Sequence, residues 1–140
     1  MASTSIHIDI VSAEREIFSG EADMVFAPGE QGELGIAPRH APLLTTLKAG
    51  EVRVQSEGHE EQSFYVGGGA LEVQPHSVTV LADTAARARD LDEAAALAAK
   101  QRAEDAVRNS RDKVDIAEAQ AELARAIAQI ALIARLRKKR

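Results

Sequence analysis

The chain has 140 residues, with 17 Lys and Arg against 22 Asp and Glu, a formal net charge of −5; that length allows one domain or two small ones. At 45% apolar and 28% charged residues it is too apolar for a disordered chain. Cysteine is absent, which excludes disulfides, thiolate nucleophiles and thiolate-bound zinc, and 3% aromatics argue against base stacking on single-stranded nucleic acid.

The start, Met1-Ala-Ser-Thr-Ser5, has no basic stretch followed by an apolar one, so no leader peptide is expected there. Ile6, Ile8 and Ile10 then alternate with His7 and Asp9, the period of a strand with one buried face. Short β-prone pieces follow at Met24–Ala27, Glu51–Gln55, Ser63–Val66, Ala70–Val73 and Val78–Leu81. Pro28-Gly29, Gly32, Gly50, Gly58 and Gly67-Gly68-Gly69 punctuate them as turns. Many short strands with regular turns predict an antiparallel β-sandwich or barrel rather than βαβ units.

All nine Gly and four Pro lie between Gly20 and Pro75, so the remainder is free to be helical. Asp90 followed by Glu93, and Asp115 by Glu118, resemble capping boxes with Asp as the acceptor. Helices are predicted near Leu91–Arg108 and Ile116–Arg137, broken at Asn109-Ser110-Arg111-Asp112. Ile116, Ala119, Leu123, Ile127, Ile130 and Ala134 give the second helix an apolar face, and the first offers Ala96, Ala99, Ala103 and Val107. The expected fold class is α+β: an N-terminal antiparallel β-sandwich over residues 1–85, then a C-terminal antiparallel α-helical hairpin over 86–140. A seam built largely of alanine buries little area, which predicts a weakly docked hairpin. The longest candidate stretch, Ala126–Ala134, is nine residues and contains Gln129, too short to span a membrane. A soluble, intracellular chain is expected, one still able to dock on a membrane complex.

Charge divides at the same place. Residues 1–84 carry 13 acidic and 4 basic side chains, net −9, and residues 85–140 carry 9 acidic and 13 basic, net +4. An acidic body with a basic arm suggests that the arm meets an acidic surface. The end, Arg135-Leu136-Arg137-Lys138-Lys139-Arg140, suits a solvated helix C-terminus, where cations complement the dipole. It equally suits an acidic protein surface, and its lack of aromatics argues against nucleic acid.

Catalytic and metal motifs are missing. Gly29-x-x-Gly32-x-x-Gly35 lacks the Gly-Lys-Ser/Thr ending of a phosphate loop and reads as turn punctuation. His7, His40, His59 and His76 are scattered, without the spacing of a metal site. No Gly-x-Ser-x-Gly elbow is present.

The run Gly32-Glu-Leu-Gly-Ile-Ala-Pro-Arg-His-Ala-Pro-Leu-Leu-Thr-Thr-Leu-Lys-Ala-Gly50 resembles the signature of the epsilon subunit of bacterial F-type ATP synthases. Asp9–Glu14 with Phe18–Gly20, Gly68–Pro75 with Val78–Asp83, and Ala119–Gln129 agree with it, in order and over essentially the whole chain. The resemblance implies a sandwich followed by a helical hairpin. It also implies a non-enzymatic rotor subunit on the cytoplasmic face of the bacterial inner membrane, peripheral to it. The implied partners are the gamma subunit, the ring of c-subunits, and the alpha and beta subunits of the head. By resemblance Ser12, His40 and Thr45 lie toward gamma, Glu33 faces the c-ring, and Arg125, Arg135, Arg137 and Lys138 reach the beta subunits when the helices extend to block hydrolysis. Some family members bind ATP through Ile/Leu-Asp-x-x-Arg-Ala on the first helix. Here the run is Leu91-Asp92-Glu93-Ala94-Ala95-Ala96, with Ala95 at the arginine position. Leu91, Asp92, Arg102 and Arg125 remain as contacts for a weak regulatory ATP, and an alanine supplies no guanidinium donors for a phosphate. The expectation is therefore weak or absent nucleotide binding and no cofactor. The alternative reading, from a different class, is a small nucleotide-sensing module.

Overall fold

A computed structural model describes residues 5–139. The start read as lacking a leader (residues 1–4) and Arg140 of the basic end lie outside the described residues. The chain forms two compact units, residues 1–87 and 88–140.

The first unit holds eight strands: β1 (Ile6–Ser12), β2 (Glu16–Ala22), β3 (Met24–Gly29), β4 (Gly32–Ile36), β5 (Leu43–Gln55), β6 (Gln62–Gln74), β7 (Ser77–Ala82) and β8 (Ala85–Arg87). They hydrogen-bond in the order β2-β1-β7-β6-β5-β3-β4, with β8 also on β6. The two 13-residue strands serve both layers of the sandwich. Gly69–Gln74 of β6 pairs with β7, whereas Phe64–Val66 pairs with β8. One layer is thus β2-β1-β7 with the C-terminal half of β6 and the start of β5; the other is β8 with the N-terminal half of β6, the end of β5, β3 and β4.

Gly67-Gly68-Gly69 is therefore not a turn between two strands but a bend within β6. The backbone reason is Gly68 at φ +98° and Gly69 at φ +138°. A Cβ on Gly69 would lie 2.1 Å from the Leu81 carbonyl oxygen and 2.9 Å from Ala82 Cα, so no side chain fits where β6 crosses β7. The same composition hid β2 and β4, whose glycines resemble turns. In β3–β4 only Glu30-Gln31 forms the loop of the hairpin, with Gly29 paired to Gly32 across it.

Alternation makes the core. Ile6, Ile8 and Ile10 are fully buried, and Ile8 and Ile10 line up on the same inner face with Val78 and Val80 on β7 and Val73 and Leu71 on β6. Each such side chain contributes about 1.5–3 kcal/mol on burial. One pairing departs from the antiparallel expectation: β1 and β7 run parallel, from His7 beside Ser77 to Ser12 beside Ala82. The two are remote in sequence, so no hairpin turn imposes an antiparallel direction on them.

The second unit begins with a single 3₁₀ turn (Ala88–Asp90), followed by α1 (Glu93–Asn109) and α2 (Lys113–Lys138). The caps differ from the expected ones. Asp92, not Asp90, caps α1 by accepting a hydrogen bond from the Ala95 N–H at 3.2 Å. Asp112, not Asp115, caps α2 by accepting from the Val114 N–H at 2.9 Å. Asp90 is spent in the 3₁₀ turn, and Asp115 already lies inside the first turn of α2, where its charge favours the helix dipole.

The seam is also rotated from the expected face. Ala96 and Ala103 on α1, and Ala119, Ala126 and Leu132 on α2, are the buried side chains, whereas Ile127 is 47% exposed. Seven-residue spacings of alanine on both helices let the backbones approach closely, and that approach selects Ala126 over its bulkier neighbour.

Candidate functional site

The expected gamma-facing residues sit on the layer containing β1, β7 and the start of β5. Ser12 ends β1 and donates from its backbone N–H to the Arg15 carbonyl at 2.9 Å, closing the turn into β2. In register it is aligned with Ala82, Gly69 and Leu47, while Thr45 is aligned with Leu71, Val80 and Ile10. Three strand spacings separate the two, about 15 Å. Thr45 shares the inward-facing side of β5 with buried Leu47 and is itself half-buried. His40 lies in the β4–β5 loop, where its ring Nδ1–H donates to the Ala41 carbonyl at 2.7 Å. These three do not form one cluster; they mark opposite ends and edges of one layer.

Ser12 and Thr45 fall in the inward rows of this layer, and its outer surface, which the spacing rules could have found, is carried by their neighbours. Leu43 and Leu44 are adjacent, so alternation sends one of them outward, and Leu44 is 75% exposed. Val78, Val80 and Ala82 face inward on β7, so Leu81 must face out, and it is 51% exposed. Thr46, Ala70, Leu81 and Val11 align across four strands in one outward row. The adjacent row runs Leu44, Glu72, Thr79, Asp9 and Ser19.

At the far edge of this face is a polar clasp. His7 Nδ1 lies 2.7 Å from Glu21 Oε2, and Nε2 lies 3.1 Å from Asp9 Oδ1. Ser5 Oγ donates to Glu21 at 2.9 Å and Ser19 Oγ donates to Asp9 at 2.6 Å. The hydrogen bond to Glu21 raises the His7 pKa above its ordinary value, Asp9 adding to it against some desolvation. The same bond, with Ser5, holds Glu21 below the usual carboxylate range.

Glu33 is on the other layer, on edge strand β4. Its Oε1 accepts from Arg53 at 3.0 Å, while Arg53 also pairs with Glu61 at 3.6 Å. The guanidinium lies 4.2 Å from the centre of the Phe26 ring. Arg53, Phe26 and Glu61 escaped sequence reasoning because they meet only through strand register, Arg53 lying beside Phe26 on β3.

In the second unit, Arg135, Arg137 and Lys138 occupy the last turn of α2. Arg137 is ion-paired with Glu93 at the start of α1, which fixes the two helices as antiparallel. Arg125 is half-buried further back on α2. For the four residues proposed for a nucleotide, the geometry is dispersed. The Asp92 carboxylate is engaged as the α1 cap, and half-buried Leu91 donates its N–H to the Ala88 carbonyl at 3.2 Å. Arg102 lies ten residues further along α1, about 15 Å at 1.5 Å per residue. The Glu93–Arg137 pairing brings Arg102 and Arg125 to within about one turn of the same level, leaving Leu91 and Asp92 at the far end.

A depression of about 390 Å³ is lined by Asp23, Gln55, Ser56, Glu57, His59 and Glu61. Within it Gln55 donates to Glu61 at 2.7 Å and the Glu57 N–H donates to Asp23 at 2.5 Å. Among the described residues no three His, Asp or Glu side chains are placed to hold a metal ion, and no helix is long and apolar enough to cross a membrane.

Comparison with known proteins covers both units. Residues 5–88 match the family described as ATP synthase, Delta/Epsilon chain, beta-sandwich domain, and residues 89–134 match its long alpha-helix domain. The chain is 67% identical over 139 residues to the ATP synthase epsilon chain of Nitrosococcus oceani, covering 99% of each. It is 62% identical over 136 residues to that of Alkalilimnicola ehrlichii, covering 97% of each. The fold matches a chain of the Euglena gracilis mitochondrial ATP synthase (OSCP, F1 and c-ring) at TM-score 0.81, 17% identity, over 94% of this chain and 82% of that one. It also matches a chain of the Tetrahymena thermophila mitochondrial central stalk and c-ring at TM-score 0.64, 11% identity, over 95% and 99%.

Proposed function

The chain belongs to the ATP synthase delta/epsilon chain family, and from that premise we propose that it is the central-stalk subunit of an F-type ATP synthase, binding and transmitting torque without catalysis of its own. The observation that carries this is the 67% identity to an epsilon chain across 99% of both sequences. The sandwich holds the gamma subunit through the layer bearing Ser12, His40 and Thr45 and rests on the c-ring through Glu33. Exposed Leu81, with half-buried Ala70 and Val11 in its outward row and exposed Leu44 in the adjacent one, supports the first contact, because apolar side chains on the outer face of a rigid sheet gain from being covered. The helices act as a brake on hydrolysis, with Arg125, Arg135, Arg137 and Lys138 meeting acidic segments of the beta subunits beside alpha. The acid-rich body and basic arm support that pairing. The subunit is peripheral, on the cytoplasmic face of the inner membrane.

Purification of the complex tests both parts. Gamma and the catalytic head should co-purify with the chain, and their absence would remove the coupling role. Ending the chain after Arg87 should leave assembly intact and raise ATP hydrolysis several-fold; unchanged hydrolysis would remove the brake.

The same reading includes no nucleotide cofactor. Ala95 offers no guanidinium, and Asp92 is committed to the α1 cap. Titration calorimetry of ATP into the chain should give no binding in the micromolar range; micromolar affinity would favour the nucleotide-sensing alternative.

A further inference from the structure

Among the described residues, Arg39 is the one non-glycine with positive φ, at +68°. That left-handed conformation is unfavourable for a residue with a Cβ and long side chain, whereas glycine or asparagine adopts it readily. The loop demands the conformation: the Arg39 N–H donates to the Pro75 carbonyl at 2.8 Å, binding the β4–β5 loop to the β6–β7 turn. Nothing in that backbone bond requires arginine. The side chain is exposed, and among the described residues no hydrogen bond or ion pair holds its guanidinium. The structure thus keeps a strained, charged residue whose charge serves nothing described within its own chain. Such outliers point toward function when the surroundings supply no other return.

The setting indicates the ligand's chemistry. Arg39 is one of only four Lys or Arg in residues 1–84, on a segment of net charge −9. It is adjacent to His40, and it is tied to the turn carrying His76, whose carbonyl in turn accepts the His7 N–H at 3.0 Å. Arg39 therefore places a positive charge at one end of this acidic sandwich. Exposed Leu44 follows in the same segment, so the tip is continuous with the apolar side chains of the outer face.

We propose that Arg39 is a docking residue, presenting its guanidinium to a carboxylate on the gamma subunit at the tip of the sandwich. This rests on the gamma-binding reading above. The fork of N–H donors matches a carboxylate in a way that the strain-free glycine or asparagine could not.

Three variants separate charge from strain. Arg39→Ala removes the charge and keeps the strain, Arg39→Asn removes both, and Arg39→Lys keeps both. Affinity for purified gamma subunit is measured at low and high salt, alongside the melting temperature of each free chain. Arg39→Ala and Arg39→Asn should bind about tenfold more weakly, with a shallower salt dependence, and Arg39→Lys, which keeps the charge but loses the fork, should fall between them and the wild type. Arg39→Asn should melt about 4 °C above Arg39→Ala. Wild-type affinity in both neutral variants overturns the proposal, as does equal melting of the Asn and Ala variants, which would show that no strain is held. A wild-type chain that does not bind gamma overturns the underlying reading and this inference with it; gamma binding that is indifferent to Arg39 overturns this inference alone.

Discussion

His7 illustrates how much a single strand position can carry. Its backbone is committed to β1, its neighbours Ile6 and Ile8 to the core, and its ring is left facing two carboxylates. Both ring nitrogens can donate only when the imidazole is protonated. The raised pKa of His7 means that its stabilising charge is fully present below the ordinary value of 6.5 and is lost as pH rises through the higher folded value. The lowered pKa of Glu21 works in the opposite direction: its contribution is present above 4.5 and is lost as pH falls through the lower folded value. The β1–β2 clasp is therefore tightest between those two ordinary values. Resolved by NMR, the His7 ring should titrate with a midpoint above 6.5, and Glu21→Gln should bring that midpoint down. A His7 midpoint unmoved by Glu21→Gln would show that the clasp does not form. At the same scale Arg53, stacked on Phe26, fixes one oxygen of Glu33 while leaving the carboxylate at the surface.

The helical hairpin is an element whose strength is set by small residues. Four of its five buried side chains are alanines, so the seam permits close approach but removes little apolar area from water. In such a pair even a surface ion pair matters: Glu93–Arg137 joins the first turn of α1 to the last turn of α2, and exposed pairs contribute about 0.2–1 kcal/mol. Here Glu93 occupies the same guanidinium that the proposed inhibitory state would offer to an acidic partner. Glu93→Gln should therefore loosen the closed hairpin and strengthen inhibition of hydrolysis in the complex, up to about fivefold in the open population. The charge-reversed pair Glu93→Arg with Arg137→Glu should restore closure and leave inhibition weaker than in the wild type, because position 137 then carries a carboxylate. Inhibition unaltered by Glu93→Gln, or undiminished by the swap, would show that this pair does not compete with the partner.

For the molecule as a whole, the division at Arg87 and Ala88 decides where the chain can be cut. β8 pairs with Phe64–Val66 of β6. Arg87 donates to the Ile17 carbonyl at 3.3 Å, with its guanidinium 5.8 and 5.6 Å from the Phe18 and Phe64 rings. These contacts belong to the sandwich, although Arg87 lies among the basic residues of the second half by charge. A truncation after Arg87 removes the proposed brake and keeps this lock. One after Asp83 strips a strand from β6, so it should melt several degrees lower and blur any effect on hydrolysis with loss of stability.

The sequence alone determined what depends on period and punctuation. Alternating isoleucines set the face of β1, the confinement of Gly and Pro to residues 20–75 separated sheet from helix, and the signature run Gly32–Gly50 pointed to the family. Tertiary structure decided what depends on neighbours remote in the chain. Gly67–Gly69 read as a turn, yet β7 and β8 paired with both of its flanks and made it a bend. Asp92 and Asp112 won the caps because the helices start where the preceding backbone releases them, and Ala126 displaced Ile127 from the seam because α1 lay close enough to require a small side chain. Likewise Arg39 carries no strain that its sequence neighbours could announce. Its positive φ arises from a hydrogen bond to Pro75, 36 residues away in the chain, and a contact made by folding is invisible to any local pattern.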